Sequence, residues 1–189
     1  MAVDRARVAA AVGELLAAIG DDPTRQGLAE TPRRVAEAYA DYFSGVGVDA
    51  AEQLADTTSL EGETGELVLV RGIELRSICE HHLLPFTGTA HVAYLPGERI
   101  VGLGRIPAVV DTVASRPQIQ ERLTDEIADA LVRGLEPRGV LVVVEATHGC
   151  VTARGARQVR SSTVTMASRG VLAEPIERAE IMALIGESR

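Results

Sequence analysis

Lysine is absent from all 189 residues, so every one of the 19 basic side chains counted is an arginine. A lysine-free chain cannot carry a phosphate-binding loop of the GxxxxGK[ST] type. Gly102 and Gly104 in IVGLGR lack the rest of a dinucleotide fingerprint, and turn formation or close packing accounts for them. The absence itself reads as a genome-composition effect, so arginine abundance alone carries little functional weight. Cysteine is almost missing as well: Cys79 and Cys150 are the only two. In a reducing compartment such a pair reads as metal-binding or catalytic rather than as a disulfide staple. Although 46% of the residues are apolar, no uninterrupted run approaches the roughly 20 residues of a membrane helix. The N-terminal MAVDRARVAAAVGELLAAIG carries Asp4 and Glu14 and repeats its apolar residues at helical spacing, unlike a signal peptide. The expectation is a soluble, cytoplasmic protein. A basic excess is lacking too: the net charge of −8 argues against a general nucleic-acid binder. No internal repeat or low-complexity segment is present.

What remains is enough chain for one good-sized domain preceded by a small helical appendage. Residues 5 to 19 read as an amphipathic helix, with Val8, Val12, Leu15, Leu16 and Ile19 on one stripe before Gly20. A second helix is expected in AETPRRVAEAYADYFSG, with Thr31 as N-cap, Pro32 at the first helical position, and Val35, Tyr39, Tyr42 and Phe43 as its buried stripe. The acidic, aperiodic stretch 46–65 reads as a connection, which divides the chain into a helical segment, 1–64, and a main domain, 65–189. There the period changes. ELVLVRGIEL, weakened at Gly72, and TGTAHVAYLP read as strands; GRIPAVVDTVAS and, after Pro117, PQIQERLTDEIADALVRGL as helices; VLVVVEATHGC and SSTVTMAS as further strands. A last helix is expected from Pro175 to about Ile185. Elements in runs, rather than strict alternation, favour an α+β fold with an antiparallel sheet.

Two short stretches carry candidate chemistry. In SICEHHLLPF, a helical turn would place Cys79 and His82, three apart, on the same side. In EATHGC, His148 and Cys150 are two apart at the end of a predicted strand and share a face if the chain stays extended. If the stretches meet, Cys79, His82 and Cys150 offer three ligands suited to zinc and leave a fourth position open, as catalytic sites do. His81 and His148 would then stand nearby as proton carriers. A plainer reading stays open, with Cys150 a small buried hydrophobe and CEHH an ordinary loop. His91 reads as a packed or surface strand residue, and Glu121 taken alone as a solvated helix face. Arg154, Arg157, Arg160 and Arg169 fall in VTARGARQVRSSTVTMASRG, which contains no acidic residue and suggests a small anionic ligand. A zinc nucleobase deaminase would need a PCxxC segment, and neither cysteine lies in one.

Taken together, CEHHLLPF, RPQIQERLT, EATHGCVTARG and TVTMASRG resemble, in order and spacing, the GTP cyclohydrolase I family, with a likeness spanning about residues 10 to 185. The resemblance implies the tunnelling fold, an antiparallel sheet with helices packed on one face. It also implies a homo-oligomeric ring, a decamer of two stacked pentamers, with active sites between subunits. By the same resemblance, Cys79, His82 and Cys150 bind Zn2+, and His81 and His148 are the acid/base histidines. Water attack at C8 of GTP would then release formate and lead to 7,8-dihydroneopterin triphosphate. Gln120 and Glu121 match positions that hold the guanine edge, and Arg154 and Arg34 match phosphate-binding arginines. The chain departs from the pattern where family members usually read Ser-Lys at Gly104 and Arg105, Arg at Ala108 and Lys at Glu37. Arg105 can replace a lysine charge, the other three cannot supply the expected groups, and Arg157 or Arg160 are candidates to compensate. Two rivals follow: a paralogue that opens another purine nucleotide, and a non-catalytic ring protein with structural zinc, which has no use for two spare histidines.

Overall fold

The computed structural model describes residues 2–63, 65–155 and 157–186. Helix α1, Arg5–Ala18, begins where the Asp4 carboxylate accepts the Arg7 backbone N–H at 3.0 Å. Helix α2, Thr31–Tyr42, starts one residue earlier than expected: Thr31 lies inside it, and the cap position belongs to Glu30, which makes no side-chain capping bond. The two helices pack on each other. Their stripes are incompletely covered. Val35, Tyr39, Tyr42 and Phe43 are only half-buried, and Leu15 and Ile19 are 58% and 68% exposed.

The aperiodic connection is ordered by packing rather than by pattern. It forms a short 3-10 helix, Ala50–Leu54, whose Ala50 and Leu54 enter the main core. It also forms strand β1, Thr57–Ser59, paired antiparallel with β4, Arg99–Val101.

The main sheet has the order β5-β2-β3-β6-β7, with β2 Val68–Cys79, β3 Pro85–Leu95, β5 Pro117–Gln118, β6 Gly139–His148 and β7 Thr163–Gly170. All pairs are antiparallel except the two-residue β5, which runs parallel to β2. Helices α3, Arg105–Ala114, and α4, Gln120–Leu135, bury one face through Ile106, Val109, Val113, Leu123, Ile127 and Leu131. The reading of one helix from Pro117 onward is corrected: Pro117 and Gln118 are strand, Ile119 is extended, and α4 begins at Gln120.

Helices do not all lie on one face. Ala93, Leu141 and Val143 point opposite to Val92, Val140, Val142 and Val144, and they pack with Leu172 and with Ile181 of α6, Pro175–Gly186. This double cover explains the apolar run VLVVV, because a strand buried on both faces does not alternate. Strand β2 changes parity at a bulge: Val68 and Val70 face the main core before it, Ile73 and Leu75 after it. Gly72, at φ 68°, takes the left-handed backbone that this slip requires. No helix among the described residues is long and apolar enough to cross a membrane.

Candidate active site

The hairpin joining β2 to β3 is closed by two backbone bonds, from Leu83 N–H to the Cys79 carbonyl and from Cys79 N–H to the Leu84 carbonyl, each 2.9 Å. The first closes one helical-type turn, so Cys79 and His82 fall on the same side, as their spacing predicts. This turn is fastened from outside. Glu80 N–H donates to the Gln118 carbonyl at 3.0 Å, and the Glu80 carboxylate pairs with Arg122, which also donates to Gln118 Oε1 and to the Pro117 carbonyl, each at 3.0 Å. The Arg122 guanidinium holds the Glu80 carboxyl below the usual carboxylate range.

The second stretch corrects the extended reading. His148 ends β6 opposite Phe86, and the chain turns at once into the short helix α5, Gly149–Thr152. A Cβ on Gly149 would stand 2.8 Å from the Pro85 carbonyl, so glycine permits the helix to start against β3. The turn separates the roles of His148 and Cys150, which no longer share a strand face, and brings Cys150 to the hairpin. The ligand atoms of Cys79, His82 and Cys150 all lie within 4.8 Å of one another, with Cys79 buried, Cys150 half-buried and His82 exposed. Burial pushes the Cys150 thiol pKa up; neighbouring Cys79 adds to the shift, while Arg154 opposes it.

Two thiols and one imidazole match the soft and borderline donors that zinc takes. Tetrahedral bonds of about 2.0–2.3 Å place ligand atoms roughly 3.5–3.8 Å apart, so the three atoms fit around one ion after a small inward movement. Their number leaves one tetrahedral position for a non-protein ligand.

His148 stacks on buried Phe86, with ring centroids 4.6 Å apart and planes at 13°. Its Nε2 lies 2.7 Å from Gln120 Oε1. Burial lowers its pKa and favours neutral imidazole, against the charge of Glu121. Gln120 is 2% exposed, whereas Glu121 is exposed in the first turn of α4. His81 is exposed beside the turn, its Nε2 3.9 Å from Glu80 Oε1.

The arginines divide. Arg154 is exposed and close enough to act on Cys150, and Arg157 and Arg160 are also exposed. Arg169 is not part of an open patch, because Asp125 and Asp129 each hold it at 2.9 Å. Arg105 begins α3 with a 3.8 Å approach to Asp56, and Arg34 is exposed on α2. No interaction among the described residues links Arg34 or Arg105 to the cluster. Two concavities of about 790 and 900 Å³ are lined by β2, β3 and β6, the first also by Asp111 of α3 and the second by Met182 and Ile185 of α6, and neither is lined by Cys79, His82 or Cys150. Phe86 and the Glu80–Arg122 brace escape the sequence reading, and Gln120, which the resemblance points at the guanine edge, gives no sequence sign of being the buried partner of His148. The one visible signal is of burial alone, Gln120 standing at helical spacing from Leu123, Thr124 and Ile127.

The family model described as GTP cyclohydrolase I matches residues 8–186. A GTP cyclohydrolase 1 of Leifsonia xyli subsp. xyli is 62% identical over 97% of this chain and 96% of its own length. The Carboxydothermus hydrogenoformans protein of the same name is 51% identical over 97% and 96%, and that of Caldanaerobacter subterraneus subsp. tengcongensis 49% over 99% and 100%. Among solved structures, the archaeosine synthase QueF-Like in the apo form aligns with 57% of this chain and 97% of its own at 14% identity and a TM-score of 0.45. The family match over residues 8–186 and the near full-length similarity to relatives of one name, with a cluster of two cysteines and a histidine at hand, place the chain in the GTP cyclohydrolase I family of enzymes.

Proposed function

We propose that the protein opens the imidazole ring of GTP with the help of zinc, releasing C8 as formate and yielding 7,8-dihydroneopterin triphosphate, the first step of pterin and tetrahydrofolate biosynthesis. The observation that carries this reading is the convergence of Cys79, His82 and Cys150 beside His148. Zinc held there would supply an activated water near neutral pH. The remaining work falls to the chain's own groups. His148, partly buried and disposed to be neutral, accepts and returns a proton at the purine, and exposed His81 serves as the second carrier. The Glu121 carboxylate suits the N1 and N2 donors of guanine. Arg154 heads the phosphate contacts, with Arg105, Arg34, Arg157 and Arg160 as further cations, each a charged fork for phosphate oxygens.

In this reading the chain adopts the tunnelling fold and assembles as a decamer of stacked pentamers in the cytoplasm. The exposure of His81, His82, Glu121 and Arg154 in the single chain supports a site walled by a neighbouring copy. Zinc-loaded protein incubated with GTP is expected to release formate and, after oxidation, a fluorescent pterin. Metal-bound protein that yields neither refutes the proposal. A second reading, a paralogue acting on a less phosphorylated guanine nucleotide, draws on Glu37, whose carboxylate is engaged by Arg33 at 2.7 Å where a lysine is usual. Comparing GTP, GDP and GMP as substrates separates the two.

A further inference from the structure

We infer that Gln120 acts through His148, as a positioning residue that fixes the ring's orientation and tautomer, and does not hold the guanine edge. The inference rests on the reading of His148 as a proton carrier. Every polar atom of the Gln120 side chain is engaged within the chain. Nε2 donates to the Val144 carbonyl at 3.1 Å and the Thr163 carbonyl at 2.8 Å, and it lies 3.1 Å from Thr165 Oγ1. Oε1 faces His148 Nε2 at 2.7 Å. With 2% of the residue exposed, no polar atom of the side chain is left to offer a ligand.

The orientation of this amide is forced by chemistry. Backbone carbonyls only accept, so the NH2 group must face Val144 and Thr163; reversing the amide would set oxygen against oxygen at both. The oxygen therefore faces the imidazole, and a carbonyl oxygen opposite a ring nitrogen requires that nitrogen to carry hydrogen. His148 is held as the Nε2–H tautomer, with Nδ1 left as its acceptor. No group among the described residues is hydrogen-bonded to Nδ1. Stacking on Phe86 fixes the plane of the ring, and the Gln120 bond fixes its rotation within that plane. Gln120 itself is anchored to β6 and β7, because Val144 and Thr163 lie in those strands.

A double-mutant cycle tests this on the zinc-loaded, full-length protein. Gln120→Met keeps side-chain length and removes the bonds. Turnover of GTP is expected to fall about 100-fold, the low end of what a positioned acid or base contributes. The same substitution added to His148→Ala should change residual turnover less than about 3-fold. GTP affinity, measured calorimetrically in the His148→Ala background with and without Gln120→Met, should also shift less than about 3-fold. Affinity weakened about tenfold or more, or losses that multiply independently in the cycle, would overturn the inference and return Gln120 to guanine binding. Should Gln120→Met fail to bind zinc or to fold, neutron diffraction from the unsubstituted protein decides. A deuteron on His148 Nε2 directed at Gln120 is expected, and its absence there refutes the assignment. An unsubstituted protein that releases no formate would sink the proposed activity and leave the tautomer result standing.

Discussion

Gly88→Ala is the substitution whose effect the structure specifies most fully. Gly88 lies in β3 opposite Ala146 of β6, and a Cβ there would sit 2.6 Å from Ala146 Cα and 2.7 Å from its Cβ, with the Glu145 carbonyl nearer still. Carbon atoms pack at about 3.5–4.0 Å, so the strands must part by roughly 1 Å. Overpacking of this kind costs about 1–3 kcal/mol, and each weakened ladder bond adds about 0.5–1.5 kcal/mol. The total is roughly 2–5 kcal/mol, which for a chain of this size lowers the unfolding midpoint by roughly 5–15 °C. The strain also falls two residues from the Phe86–His148 pair, beside the junction that brings Cys150 to Cys79. Metal sites tolerate about 0.2 Å of ligand displacement, so zinc affinity should fall at least about tenfold. Thermal unfolding of metal-free protein and competitive zinc titration measure both effects. Gly72→Ala is the control, since nothing lies within 4 Å of its Cβ and only the φ of 68° opposes it. It should cost about 1 kcal/mol and leave zinc affinity unchanged. A Gly88→Ala protein with unaltered midpoint and zinc affinity would refute the claim that β3–β6 spacing sets the ligand geometry.

Three further outcomes are expected. Cys150→Ala should abolish stoichiometric zinc binding and turnover, while His148→Ala keeps zinc and loses about 100- to 10,000-fold in turnover; equal zinc loss in both variants contradicts that division. In metal-free protein the Cys150 thiol pKa is raised by burial, so zinc must displace its proton. Affinity should therefore fall about tenfold per pH unit for that proton below the raised pKa, whereas stability linked to the buried thiol is present at low pH and lost as pH climbs through the raised value. Titration of zinc binding between about pH 6 and pH 8, below the ordinary thiol pKa of about 8.5, reads the first effect. Arg154→Ala should weaken GTP binding measurably, while Arg169→Met, which removes a guanidinium already engaged by Asp125 and Asp129, should leave it unchanged in the same calorimetric assay.

Local pattern made much of this molecule legible. The sequence reads strands at 66–75, 87–96 and 140–150, and the fold has them at Val68–Cys79, Pro85–Leu95 and Gly139–His148, with the first extended by four residues to the site; apolar spacing marks α3 and most of α4. The failures fall where tertiary contact overrides pattern. Pro117 looks like a helix start, yet pairing with Ile78 draws it into the sheet. The segment around Leu54 has no period because only two side chains, Ala50 and Leu54, anchor it in the core. The turn after His148 was invisible because it depends on a glycine lying against a carbonyl of another strand. At the site, Cys79 and His82 were readable from spacing, since both belong to one turn. Likeness points Gln120 at substrate, and only the geometry reveals that its amide is consumed by Val144, Thr163 and His148. The brace from Arg122 to Glu80 spans 42 positions, a separation that no local period reports.

X-ray absorption at the zinc edge of the metal-loaded protein tests the central claim most directly. The account predicts two sulfur scatterers at about 2.3 Å together with nitrogen or oxygen at about 2.0–2.1 Å. A shell with no sulfur, or with one sulfur only, would contradict the assignment of Cys79, His82 and Cys150 as the ligands.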